Sequence, residues 1–135
     1  MPRPCLAQTD ITALLQLAEQ GNNGGILATP VRDTMKRGKT NKCGSRQMVK
    51  LTESRENLWH ALTPQFFQLA VLKQALENAM DQQALITDEA SAVELLGKEV
   101  VLIAGKASNI KITQPEDLLL AEFYLTQAKI NQEKT

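Results

Sequence analysis

The side chains able to do chemistry here are isolated hydroxyls and cations, not a recognisable triad or ligand set. The densest stretch is Leu58-Trp59-His60-Ala61-Leu62-Thr63-Pro64-Gln65-Phe66-Phe67, with the only tryptophan, the only histidine and two of three phenylalanines. An apolar, aromatic run reads as a buried strand, and Thr63-Pro64 then ends regular pairing, because proline lacks an N–H and restricts the residue before it. Ligands of layered α/β domains sit outside the carboxyl ends of strands, so Thr63 is a candidate ligand contact by position, with turn capping as its alternative. Lys111, in the alternating run Asn109-Ile110-Lys111-Ile112-Thr113, stands off the face made by Ile110 and Ile112; composition alone makes it a solvated edge lysine. Arg55 in a polar turn is ordinarily solvated, and Thr34 ordinarily only favours β conformation. His60 has no cysteine, acid or second histidine at metal-ligand spacing and is assigned to packing or a structural hydrogen bond. Asp88 and Glu89 stand at a helix start, where capping accounts for them. Cys5 and Cys43 are too few for a disulfide framework or a zinc site and read as reduced thiols.

The elements that must position these residues follow from periodicity. Thr9 or Asp10 caps a helix carrying Ile11, Leu14, Leu15 and Ala18, ended by Gly21-Asn22-Asn23-Gly24-Gly25. Ile26-Leu27-Ala28-Thr29-Pro30-Val31 suits a strand buried on both faces. From 32 to 57 basic and polar residues crowd around Gly38 and Gly44, and Met48-Val49-Lys50-Leu51-Thr52 alternates as a returning strand. This predicts a protruding two-stranded arm, and because an isolated ribbon is marginal in water it predicts a dimer. Leu69, Ala70, Leu72, Leu76, Ala79 and Met80 mark a helix over 68–82. Thr87 caps another with Ala92, Val93 and Leu96 inward, closed by Gly97. Glu99-Val100-Val101-Leu102-Ile103-Ala104 reads as a buried strand and 109–113 as a further strand. Pro115 opens a final helix whose buried stripe is Leu118, Leu119, Ala121, Phe123 and Leu125, with 131–135 fraying. The fold class is α/β, one domain over 1–135 with 32–57 as its arm.

Fifteen Lys and Arg balance fifteen Asp and Glu, with no basic block, so nucleic acid and anionic membrane are not expected partners and small or neutral ones are. No apolar run has signal-peptide or membrane-span character, which points to the cytoplasm.

Six stretches in register carry a resemblance: Arg3-Pro4; Pro30-Val31-Arg32-Asp33-Thr34; the run from Leu58 to Phe66; Ile86-Thr87-Asp88-Glu89-Ala90; Asn109-Ile110-Lys111-Ile112-Thr113; and Pro115-Glu116-Asp117-Leu118 followed by Ala121. Together they resemble the C-terminal part of the methylerythritol phosphate cytidylyltransferases of non-mevalonate isoprenoid synthesis. The resemblance implies part of a Rossmann-like nucleotidyltransferase sheet with helices on both faces. It implies transfer of CMP from CTP to methylerythritol phosphate with release of pyrophosphate, magnesium accompanying the triphosphate. It also implies that Thr63 and Lys111 hold the substrate phosphate from one subunit of a homodimer while Thr34 and Arg55 reach over from the partner's arm. Arg55 and Lys111 then position the nucleophile, and Arg3 is a further substrate contact. The reaction brings an anionic nucleophile to an anionic phosphate, so such a site works by positioning and charge neutralisation.

The sequence departs from the family at its start. The glycine-rich loop that binds CTP phosphates has no counterpart, since Gly24-Gly25 lacks the spacing and the basic residue. Met1-Pro2 fills the alanine places of an Asp-Ala-Ala-Arg-Pro motif and its aspartate is absent, and Ser108 replaces a usual acid. The expectation is an incomplete cytidylyltransferase, inactive alone, with the metal site mostly elsewhere. The alternatives are a non-catalytic dimerising module that binds a sugar phosphate, or a ribitol phosphate cytidylyltransferase.

Overall fold

The computed structural model describes residues 2–134, which form α1 (Gln8–Glu19), β1 (Gly24–Pro30), β2 (Met35–Thr40), β3 (Gln47–Glu53), β4 (Trp59–Phe67), α2 (Leu69–Asp81), α3 (Glu89–Leu95), β5 (Val101–Ala104) and α4 (Pro115–Glu133). Thr135, expected to fray, lies outside the described residues.

β1 is the centre of a three-stranded sheet ordered β4-β1-β5, antiparallel to β4 and parallel to β5. Its first five residues are buried, as an apolar run after a glycine pair predicts. The glycines permit close approach: a Cβ at Gly24 would sit 2.2 Å from the Phe66 carbonyl oxygen, and one at Gly25 would sit 2.5 Å from Leu17 Cδ1. Leu14 and Leu17 of α1 pack on Leu27 with Leu62, Phe66, Val101 and Ile103. Phe67 instead joins Ala75 and Ala79 of α2 and Ala92 and Val93 of α3. Adjacent strand residues point to opposite faces, so helices cover the sheet on both sides.

Several local expectations need correction. Asp10 does not cap α1; Ala7 holds the N-cap position and Asp10 is buried in the first turn. Asp88, not Thr87, caps α3, accepting from Ser91 N–H at 2.9 Å while Ser91 Oγ accepts from the Asp88 N–H. The aromatic run is not buried, because β4 is an edge strand: Trp59 and His60 are exposed. Nor does Thr63-Pro64 end it. β4 passes through a cis Thr63–Pro64 bond, and 62–64 lie opposite Leu27 alone, between the pairs Ala28↔Ala61 and Ile26↔Gln65. An edge position and a bulge are where a strand tolerates a residue without N–H. β5 begins at Val101, and its residues alternate between half-buried and exposed. Residues 109–113 form no strand; their alternation survives, with Ile110 and Ile112 half-buried and Lys111 exposed, but Ile112 N–H finds Pro2 C=O at 3.1 Å instead of a ladder. The expected stripe of α4 is mostly exposed, with Leu119 at 71% and only Ala121 buried, because no described element covers it.

β2 and β3 pair as a separate antiparallel ribbon from Met35↔Glu53 to Thr40↔Gln47, almost wholly exposed. Cys5 is buried and Cys43 exposed, both unbridged.

Candidate anion-binding site

An open cleft of about 790 Å³ lies where the C-terminal ends of β1 and β5 meet the start of β4. Its cations are Arg3, Arg32, Lys106 and Lys111, and its acids are Asp33 and Asp117. Four against two makes the cleft positive in a chain whose total charge is zero.

Of these cations Arg3 is the one whose side chain is held by backbone. Arg3 donates from Nη1 to the Asn109 carbonyl at 2.6 Å, and partial burial disfavours its charged form, lowering its pKa. A desolvated guanidinium whose contact is a carbonyl gains when an anion arrives. Lys111 is exposed one turn beyond, on the segment that Asp117 fastens: its Oδ2 accepts from Thr113 N–H (2.8 Å), Gln114 N–H (2.8 Å) and Thr113 Oγ1 (3.1 Å). Those bonds, the Thr113 N–H first, hold the Asp117 carboxyl below the usual carboxylate range. Asn109 is 2% exposed and donates from Nδ2 to the Thr63 carbonyl at 2.9 Å, so its orientation is fixed and its Oδ1 is left buried without a partner among the described residues.

Of the residues expected at the site, Arg3 and Lys111 line the cleft together. Thr63 does not line it; Thr63 contributes its carbonyl, as the anchor for Asn109, from the middle of β4 and not from a strand end. Thr34 is exposed just before the ribbon, beyond the lining residues Arg32 and Asp33. Arg55 is exposed after β3, and its Nη1 donates to the Arg32 carbonyl, tying the ribbon's base to the cleft wall. Sequence reasoning missed His60, Arg32, Asp33, Lys106 and Asn109. His60, assigned to packing, is an exposed residue of the cleft wall opposite Thr29.

Among the described residues no three His, Cys, Asp or Glu side chains converge as a metal cage.

A positive cleft at strand ends in a sheet covered on both faces defines an α/β domain with a candidate ligand site at its strand ends. The comparisons with known proteins give that class a family. The profile of the 2-C-methyl-D-erythritol 4-phosphate cytidylyltransferases matches residues 1–127. The chain is 58% identical to the enzyme of that name from Haemophilus ducreyi and 59% identical to that from Pseudoalteromonas atlantica, in each case over 91% of this chain and 51% of the relative. Among solved structures it resembles a 4-diphosphocytidyl-2C-methyl-D-erythritol synthase at 43% identity and a TM-score of 0.76, over 91% of this chain and 52% of that one. It resembles the Francisella tularensis 2-C-methyl-D-erythritol 4-phosphate cytidylyltransferase at 33% and 0.80, over 90% and 55%. The chain belongs to the 2-C-methyl-D-erythritol 4-phosphate cytidylyltransferase family. It spans about half the length of the relatives it matches.

Proposed function

We propose that this chain carries the acceptor-binding part of a cytidylyltransferase, and that its cleft holds the phosphate of methylerythritol phosphate for attack on CTP. The observation that carries this is the convergence of Arg3 and Lys111 from opposite ends of the sequence on one cationic cleft. In this reading a phosphate oxygen of the acceptor attacks the α-phosphorus of CTP, and the new P–O bond forms as the bond to the β-phosphate breaks and pyrophosphate leaves. Arg3 and Lys111 neutralise the nucleophilic phosphate and aim it, which lowers the repulsion between two anions. CTP brings magnesium on its triphosphate.

The ribbon supplies the second half of the proposal. Met48, Val49 and Leu51 are exposed on a two-stranded element that water alone stabilises poorly, and a second copy would cover them. Arg55 and Thr34, at the ribbon's base, would then reach the partner's cleft. An enzyme using these substrates belongs in the cytoplasm, and no helix of the described residues is long and apolar enough to cross a membrane.

Calorimetric titration of methylerythritol phosphate into the chain tests the reading. Binding is expected, with Lys111→Ala and Arg3→Ala each weakening it at least about tenfold, the equivalent of one charge-assisted contact. Equal affinity for methylerythritol without its phosphate would refute it.

A further inference from the structure

Asp10 is a buried carboxylate with no part in that reading. It is 6% exposed, and no cation pairs with it among the described residues. Burying a charge in this way is costly unless hydrogen bonds compensate. The positive end of α1 supplies some compensation, because Asp10 lies in its first turn. The rest is a bond to the cleft: Asp10 Oδ2 accepts from Lys106 N–H at 3.1 Å.

From there hydrogen bonds run without a break. The Lys106 carbonyl accepts from Asn109 N–H at 3.0 Å, and the Asn109 carbonyl accepts from Arg3 at 2.6 Å. Asn109 Nδ2 reaches β4 at the Thr63 carbonyl, and Gly105 N–H fixes the start of the turn on the Ala28 carbonyl at 2.9 Å. Lys106, Asn109 and Arg3 all line the cleft, whereas Asp10 stands behind it. The Lys106 side chain is exposed and in no ion pair among the described residues, so its ammonium is free to meet a ligand.

We propose that Asp10 is a positioning residue for anion binding: its carboxylate locks the 105–109 turn, so that Lys106 joins Arg3 and Lys111 as a third cation on the bound phosphate. This rests on the phosphate-binding reading of the cleft. A side-chain oxygen that accepts from a backbone N–H across 96 residues of sequence holds a turn in shape while a ligand arrives.

The test is titration of the isotope-labelled chain with inorganic phosphate, read by amide chemical shifts. Lys106→Ala is expected to weaken phosphate about tenfold, the loss of one charge-assisted contact. Asp10→Ala should weaken it comparably and release the Lys106 amide to rapid hydrogen exchange, while Asp10→Asn restores most of the affinity because its Oδ1 still accepts from that N–H. In the Lys106→Ala background Asp10→Ala should add less than it does alone, since both act through one turn. Should Asp10→Ala fail to fold, Asp10→Asn, read by the exchange of the Lys106 amide, and Lys106→Ala, whose side chain is exposed, decide together: an unprotected Lys106 amide with unchanged phosphate affinity in Asp10→Asn overturns the proposal. Unchanged phosphate affinity in Lys106→Ala, or in a folded Asp10→Ala, overturns the proposal, and a loss in Lys111→Ala then leaves the cleft reading standing. A wild-type chain without phosphate shifts, or shifts indifferent to Lys111→Ala, overturns the cleft reading and this proposal with it.

Discussion

Arg3 and Lys111 show what a single side chain can and cannot reveal. Neither is distinguishable in the sequence from a solvated surface cation, and only the registered resemblance singles them out. What makes them a pair is Asn109, whose carbonyl takes Arg3 and whose amide reaches Thr63. Such backbone contacts leave no compositional trace, so Asn109 and Lys106 were invisible. The end of β4 was misplaced at Thr63 because proline suggested a strand end, and an edge strand with a bulge can absorb proline instead. Asp88 gives a sharper prediction at this scale. Burial raises its pKa, but bonds from the Gln65 side chain and from Ser91 outweigh that and leave it below the ordinary carboxylate range. A folded-state pKa below the unfolded one means that the stabilisation is complete above about pH 4 and is lost as the pH falls through the lower, folded value. Asp88→Ala is expected to cost about 1 kcal/mol in urea denaturation at pH 7, and the gap between it and the wild type should shrink toward pH 2. A gap independent of pH would mean that the carboxylate's charge is irrelevant to the cap.

At the scale of elements, helices were the most legible. α1, α2 and α4 stand where their apolar spacing put them, because a 3.6-residue period is a local property. The 109–113 run has a strand's alternation but no strand to pair with among the described residues, and alternation cannot report whether a partner exists. The stripe of α4 is likewise periodic and yet exposed in the described residues, for periodicity tells which face is apolar and not what covers it. The ribbon of β2 and β3 is the element whose role is most open to test. Replacing Val49 and Leu51 together by lysine should change the stability of the isolated fold by less than about 0.5 kcal/mol per site, since both are exposed. The same double variant should sediment as a monomer where the unaltered chain sediments as a dimer. A monomeric unaltered chain would remove the ribbon from any role in assembly.

For the molecule as a whole, zero net charge concealed a positive cleft, because composition sums over a surface that the fold partitions. Family membership fixes the chemistry to be tested, and the chain's span of about half its relatives fixes how to test it. The direct measurement is pyrophosphate release from CTP and methylerythritol phosphate with magnesium, using this chain joined to the part of a relative that it does not span. Release is expected, falling about a hundredfold with Lys111→Ala, as the loss of a group that stabilises charge at the reacting phosphate implies. Undiminished release from the Lys111→Ala protein would show that the cleft described here does not hold the nucleophile.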